Sequence, residues 1–107
     1  MKRIAAFVFL MLSASSALAA DAPANHISIK EYMFMPATLN IVTGTKVTWV
    51  NHDEVPHTIV DTDKAFHSAA IDTDDTYSFT FTKPGTYHYF CTLHPQMVAT
   101  VVVADAK

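Results

Sequence analysis

Tyr87-His88-Tyr89-Phe90-Cys91-Thr92-Leu93-His94-Pro95-Gln96-Met97 decides how this chain is read. The run begins as an extended segment and ends in Cys91, the only cysteine of the sequence. A tight loop then returns His94 and Met97, each three residues after the donor before it. A thiolate, an imidazole and a thioether within seven residues make a soft ligand set. A second imidazole is on offer upstream, at Pro56-His57. Two histidines, one cysteine and a weakly held methionine suit copper that moves between two oxidation states.

The neighbouring sequence supplies the frame. Thr76-Tyr77-Ser78-Phe79-Thr80-Phe81-Thr82 alternates aromatic and hydroxyl residues, which predicts a half-buried strand. Lys83-Pro84-Gly85 turns it into Thr86–Cys91, and Val98–Val103 closes the chain with β-branched residues. Before the site, the predicted strands are His26–Lys30, Thr38–Val42 and Lys46–Asn51, and His57–Val60 resumes extension after the break at Asn51–Pro56. Met33–Pro36 reads as an edge or turn, because Pro36 cannot donate to a ladder. Asp61–Asp75 is acidic and irregular, with Phe66, Ala69 and Ile71 as expected anchors. No amphipathic helix is predicted after the leader. The expected fold class is all-β: an antiparallel Greek-key β-sandwich of about eight strands.

Met1-Lys2-Arg3, the apolar run Ile4–Leu12 and the small-residue end Ala17-Leu18-Ala19 read as a secretory signal peptide over residues 1–19. The apolar run is too short to cross a bilayer, so no membrane insertion is expected after its removal. Residues 20–107 would then form one small domain of 88 residues, exported to the periplasm. A core of that size is modest, and a bound ion would help to hold it. With Lys2 and Arg3 gone, five cations face ten acids, a net charge of −5. No arginine remains, and no basic stripe is available for nucleic acid. A lone thiol in an oxidising compartment is open to oxidation unless it is buried or ligated.

Other chemistries fit less well. Structural zinc favours Cys and His and does not ordinarily take a thioether. A Cys–His nucleophile pair would need an orienting third residue, and none is visible. A binuclear copper site would need a second cysteine in the loop. His26, His52, His67 and His88 read as solvated surface residues, and Asp72, Asp74 and Asp75 lack the spacing of a calcium loop. Trp49 reads as core and Asn51 as a loop brace.

Taken together, Phe34-x-Pro36, Gly44-x-x-Val47-x-Trp49-x-Asn51, Pro56-His57, Phe81-x-x-Pro84-Gly85-x-Tyr87 and Cys91-Thr92-x-His94-Pro95-x-Met97 resemble the cupredoxins, and among them the small amicyanin-like blue copper proteins. The resemblance spans nearly all of the chain after the leader. It implies one type 1 copper ion, with His57, Cys91 and His94 as strong ligands and Met97 as the axial one. It also implies a one-electron carrier between redox proteins, not an enzyme; a quinoprotein dehydrogenase would be the donor and a c-type cytochrome the acceptor, and the carrier itself is expected to be a monomer. The competing functional expectation is a copper storage or delivery module. Two departures bear on the site. Thr58 follows the first histidine where many cupredoxins have a bracing Asn, and Thr58 or Thr92 would take over part of that bracing. Leu93 stands where the amicyanin-like loop has Pro, on the expected docking surface.

Overall fold

Period-two alternation along the strands builds the core. The computed structural model describes residues 25–106, and among them the chain forms eight strands and no helix. The expected leader, residues 1–19, lies outside the described residues. The strands are β1 (His26–Lys30), β2 (Met33–Met35), β3 (Thr38–Val42), β4 (Thr45–Asn51), β5 (Val60–Asp61), β6 (Thr76–Phe81), β7 (Gly85–Phe90) and β8 (Val98–Ala104). One sheet has the order β2-β1-β4-β6 and the other β3-β8-β7-β5. Ile27 and Ile29, Val47 and Trp49, and Ala99, Val101 and Val103 all point into the space between the sheets and are buried.

The sandwich is therefore the expected one, with one correction to its pairing. β1 pairs with β4, and β3 with β8, in parallel; the other four pairings are antiparallel. After β2 the chain crosses to the second sheet for β3 and then returns, so β4 arrives beside β1 running the same way. Local alternation reports which face a strand buries and not the direction of its neighbour. At the β3–β4 turn Gly44 has φ +90°, a conformation that favours glycine, and its N–H donates to Phe81 O at 2.7 Å.

Two further expectations change. Regular pairing begins only at Val60, not at His57, which makes an isolated bridge to Ile71. Pro56 has no N–H, and the amides of Thr58 and Ile59 donate to side chains, Cys91 Sγ and Ser68 Oγ. Those donors are lost to a ladder. Phe66 and Ile71 are buried as expected, but Ala69 is exposed and Ser68 is buried in its place. The hydroxyl of Ser68 accepts from Ile59 N–H at 2.8 Å and its own N–H donates to Ile59 O at 2.9 Å, so a polar anchor takes the inward position.

Trp49 lies at the centre, with ring centroids of Phe66, Tyr77 and Tyr89 within 5.7 Å. The Tyr89 hydroxyl and the Trp49 indole N–H are both buried without a hydrogen-bonding partner. Burial pushes the Tyr89 phenol well above its ordinary value; the indole N–H offsets part of this without reaching hydrogen-bond geometry. The folded phenol thus ionises above the unfolded one, which titrates near pH ~10. Its contribution to stability is complete below that pH and is lost as pH rises further. Tyr89→Phe should change stability at neutral pH by no more than about 1 kcal/mol, since it removes an unpaired hydroxyl. It should also move the alkaline unfolding midpoint upward. A pH titration followed by circular dichroism checks this, and an unchanged alkaline midpoint would count against it.

Candidate metal centre

β7 ends at Phe90, and the loop that follows turns in steps of three. His94 N–H donates to Cys91 O at 3.3 Å and Met97 N–H donates to His94 O at 2.8 Å. Cys91 N–H donates to Met97 O at 3.1 Å, which closes the loop where β8 begins. This ladder sets the three-residue spacing seen in the sequence. Cys91 is fully buried and Met97 nearly so, whereas His94 is half-buried and Leu93 is exposed.

His57 comes from the segment between β4 and β5 and is fully buried. Its backbone pairs with Ile71 in both directions, at 3.2 and 2.8 Å. Asn51, at the end of β4, braces the segment. Its Nδ2 donates to Val55 O and Ile71 O at 2.9 Å each, and its Oδ1 accepts from Asp53 N–H at 2.9 Å. The expected threonine brace is also present: Thr58 Oγ1 lies 2.7 Å from Thr92 Oγ1 and accepts from Thr92 N–H at 2.7 Å.

The donors converge. Cys91 Sγ lies 3.7 Å from His57 Nδ1 and 3.7 Å from His94 Nδ1, and the three donor atoms all fall within 4.8 Å of one another. A thiol has one proton and can donate it to only one of two rings. Donors about 2.0–2.3 Å from a shared ion at near-tetrahedral angles stand about 3.5 Å apart, close to this spacing. Thr58 N–H donates to the same sulfur at 3.4 Å, as suits a thiolate acceptor.

Asp53 fixes the chemistry of His57. Its carboxylate lies 2.8 Å from His57 Nε2, so the ring donates its proton there and keeps the Nδ1 lone pair free, facing Cys91. The same carboxylate accepts from Glu31 N–H at 2.6 Å and Tyr32 N–H at 3.0 Å. Burial alone would raise the Asp53 pKa; the hydrogen bonds from Tyr32, His57 and Glu31 outweigh it and hold the group below its usual value. It stays ionised, as the tautomer of His57 requires.

All four sequence-predicted site residues belong to this corner of the fold. His57, Cys91 and His94 present their donor atoms to one another, and Met97 is buried at the end of the same closed loop. His26, His52, His67 and His88 are exposed, as expected. Sequence reasoning missed Asp53 and Tyr32. Asp53 lies only four residues before His57, a spacing that puts a carboxylate in reach of the ring but is too common to single out. Tyr32 carries no local signal.

Comparison with known proteins agrees with the geometry. The Cupredoxin-like domain family matches residues 3–103. Amicyanin-alpha of Methylorubrum extorquens is 35% identical over 109 residues, covering 94% of this chain and 92% of that protein. Amicyanin of Paracoccus versutus is 34% identical, covering 79% and 70%. Among solved structures, a purple cupredoxin from Nitrosopumilus maritimus superposes with a TM-score of 0.71 at 34% identity, covering 74% of this chain and 98% of that one. The Cu(I) form of an amicyanin variant superposes with a TM-score of 0.69 at 32% identity, covering 73% and 79%. One cysteine sulfur and two imidazole nitrogens, His57 Nδ1 and His94 Nδ1, at such separations fit the ion that such a protein holds. The chain belongs to the cupredoxin family, and its cofactor is a single type 1 copper ion.

Proposed function

We propose that this chain is a periplasmic one-electron carrier, with His57, Cys91 and His94 as the strong copper ligands and Met97 as the axial ligand. The observation that carries the reading is the meeting of Cys91 Sγ with two imidazole Nδ1 atoms at 3.7 Å, with Cys91 and His94 in a loop closed by its own backbone and His57 brought from the β4–β5 segment. The ion supplies a one-electron exchange between Cu(II) and Cu(I). The protein holds the donors still. Asp53 fixes His57, the threonine pair ties Thr92 to Thr58, and the strand ends fix Cys91 and Met97. Ligands that move little on electron transfer keep the reorganisation energy low, and a weak thioether in an apolar surround favours the reduced ion. A delivery role calls for donors that a partner can reach, and full burial of Cys91 and His57 weighs against it.

The leader-like sequence at residues 1–19 supports export. Likeness to amicyanin supports redox proteins as partners, with a quinoprotein dehydrogenase as donor and a c-type cytochrome as acceptor. His94 is the half-buried ligand, and Leu93, 50% exposed, stands beside it with the exposed Pro95. This apolar rim would serve as the electron port, suited to weak and brief docking. Leu93→Glu should slow electron transfer to an acidic or apolar partner and leave the visible spectrum unchanged. Stopped-flow kinetics with the spectrum as control measures both, and unaltered rates would remove the port.

The test of the whole reading is the spectrum of the oxidised, copper-loaded protein, with cyclic voltammetry alongside it. An intense thiolate-to-copper band, a narrow parallel hyperfine splitting and a reversible one-electron wave are expected. A colourless protein carrying stoichiometric copper would overturn it.

A further inference from the structure

The turn that joins β1 to β2 has no obvious reason to contain tyrosine. It is a two-residue loop, and both residues are left-handed: Glu31 has φ +53° and Tyr32 φ +59°. Tight hairpins of this kind ordinarily take Asn-Gly or Asp-Gly. A side chain at either position strains the backbone, because its Cβ crowds the following carbonyl oxygen. The strain is held by Asp53, whose carboxylate accepts both turn amides and also holds His57. A strained, bulky residue clamped to a ligand's own partner calls for a function.

Its ring shows what that function is. Tyr32 meets His94 edge-to-face with centroids 4.8 Å apart and meets His57 at 5.5 Å, while the two imidazoles are 5.0 Å apart. The three rings form a closed triangle. Tyr32 is 49% exposed and touches both imidazoles, so one side of its ring faces them while the rest meets solvent. His57 has a buried site, a carboxylate and a backbone bridge to hold it. His94 is half-buried, and among the described residues its ring stacks only on those of His57 and Tyr32.

We propose that Tyr32 is a positioning residue of the metal centre: its ring, presented by the left-handed turn that Asp53 clamps, holds the His94 imidazole in its ligating orientation when no ion is bound and slows its departure when one is. The inference rests on the copper-ligand reading above for its second half alone. The first half concerns the metal-free protein. Edge-to-face contacts are worth ~0.5–1.5 kcal/mol each, so loss of the ring should speed ligand release by up to about tenfold.

Four proteins test it: the parent, Tyr32→Phe, Tyr32→Ala and Tyr32→Asn. Asn tolerates the left-handed turn, so ring loss and turn strain are separated. In the metal-free state, side-chain NMR relaxation should show His94 disordered in the Ala and Asn variants, ordered in the Phe variant, and His57 ordered in all four. In the copper(I)-loaded state, transfer of the ion to bicinchoninate should be several-fold to about tenfold faster for Ala and Asn and unchanged for Phe. His94 as ordered in both ring-less variants as in the parent would overturn the proposal. So would disorder in the Ala variant alone, which would assign the effect to the turn. If the parent takes up no copper, the ligand reading fails, and the metal-free measurement still decides whether Tyr32 positions His94.

Discussion

Replacing Cys91 with serine should abolish the intense visible band outright while leaving the sandwich folded. The band belongs to charge transfer from a thiolate, and Cys91 is the only sulfur of that kind in the chain. Serine is close in shape and can accept from Thr58 N–H, which now donates to Cys91 Sγ at 3.4 Å. A fully buried hydroxyl in place of a thiol costs about 1–2 kcal/mol, too little to unfold a domain of this kind by itself. What is lost is the soft anion. His57 and His94 remain, and two imidazoles with a neutral hydroxyl bind Cu(II) weakly, in a site with no reason to hold the three-coordinate arrangement. Copper-loaded Cys91→Ser should be nearly colourless, its parallel hyperfine splitting should widen, and its one-electron wave should be lost or irreversible. Visible and EPR spectra of protein with measured copper content give the result. A Ser variant that keeps the blue band would place the chromophore elsewhere and remove Cys91 from the site.

That cysteine was the most legible feature of the chain, and the reason is physical. Three of the four proposed donors fall in seven residues, so their spacing is fixed by one loop and can be read without knowing the fold. The strands were legible for a similar reason. Val47, Trp49 and Asn51, or Ala99, Val101 and Val103, alternate inward because a pleat has a period of two. What depends on contacts across the sequence was not legible. The parallel pairing of β1 with β4 follows from a crossover between sheets. Ser68 displaces Ala69 from the inward position because Ile59, nine residues away, needs a partner for its N–H. Asp53 binds the turn at Glu31 and Tyr32 from 22 and 21 residues away. Neither residue of that turn is the glycine or asparagine that would have announced a left-handed backbone. The sequence-level departure at Thr58 was more informative: a hydroxyl beside the first ligand had to find a partner, and it found Thr92 across the site.

Asn51→Ala should be the most damaging single change away from the ligands, costing about 2–4 kcal/mol of stability in the metal-free protein. Asn51 is fully buried, and its amide makes three hydrogen bonds at 2.9 Å, with both N–H groups used. Alanine removes the amide and leaves Val55 O, Ile71 O and Asp53 N–H without it. These are not three unrelated losses. Val55 lies two residues before His57, Ile71 is the bridge partner of His57, and Asp53 carries the carboxylate that fixes its ring. Asn51 thus braces three of the residues that flank or support His57. Asn51→Asp offers no rescue, because a carboxylate keeps the acceptor for Asp53 N–H, loses both donations and buries a charge. For a domain of this size the cost lowers the melting temperature by roughly 10–20 °C. The measurement belongs on metal-free protein, since a bound ion stabilises the native state by mass action and would mask part of the loss. Copper binding then gives a second, independent readout. If His57 is held only by this brace, loaded Asn51→Ala should show a broadened or shifted visible band even below its melting point, whereas a purely global loss of stability would leave the band of the folded fraction unchanged. A destabilisation under about 1 kcal/mol with an unaltered band would mean that the backbone bridge to Ile71 and the Asp53 contact hold His57 without Asn51.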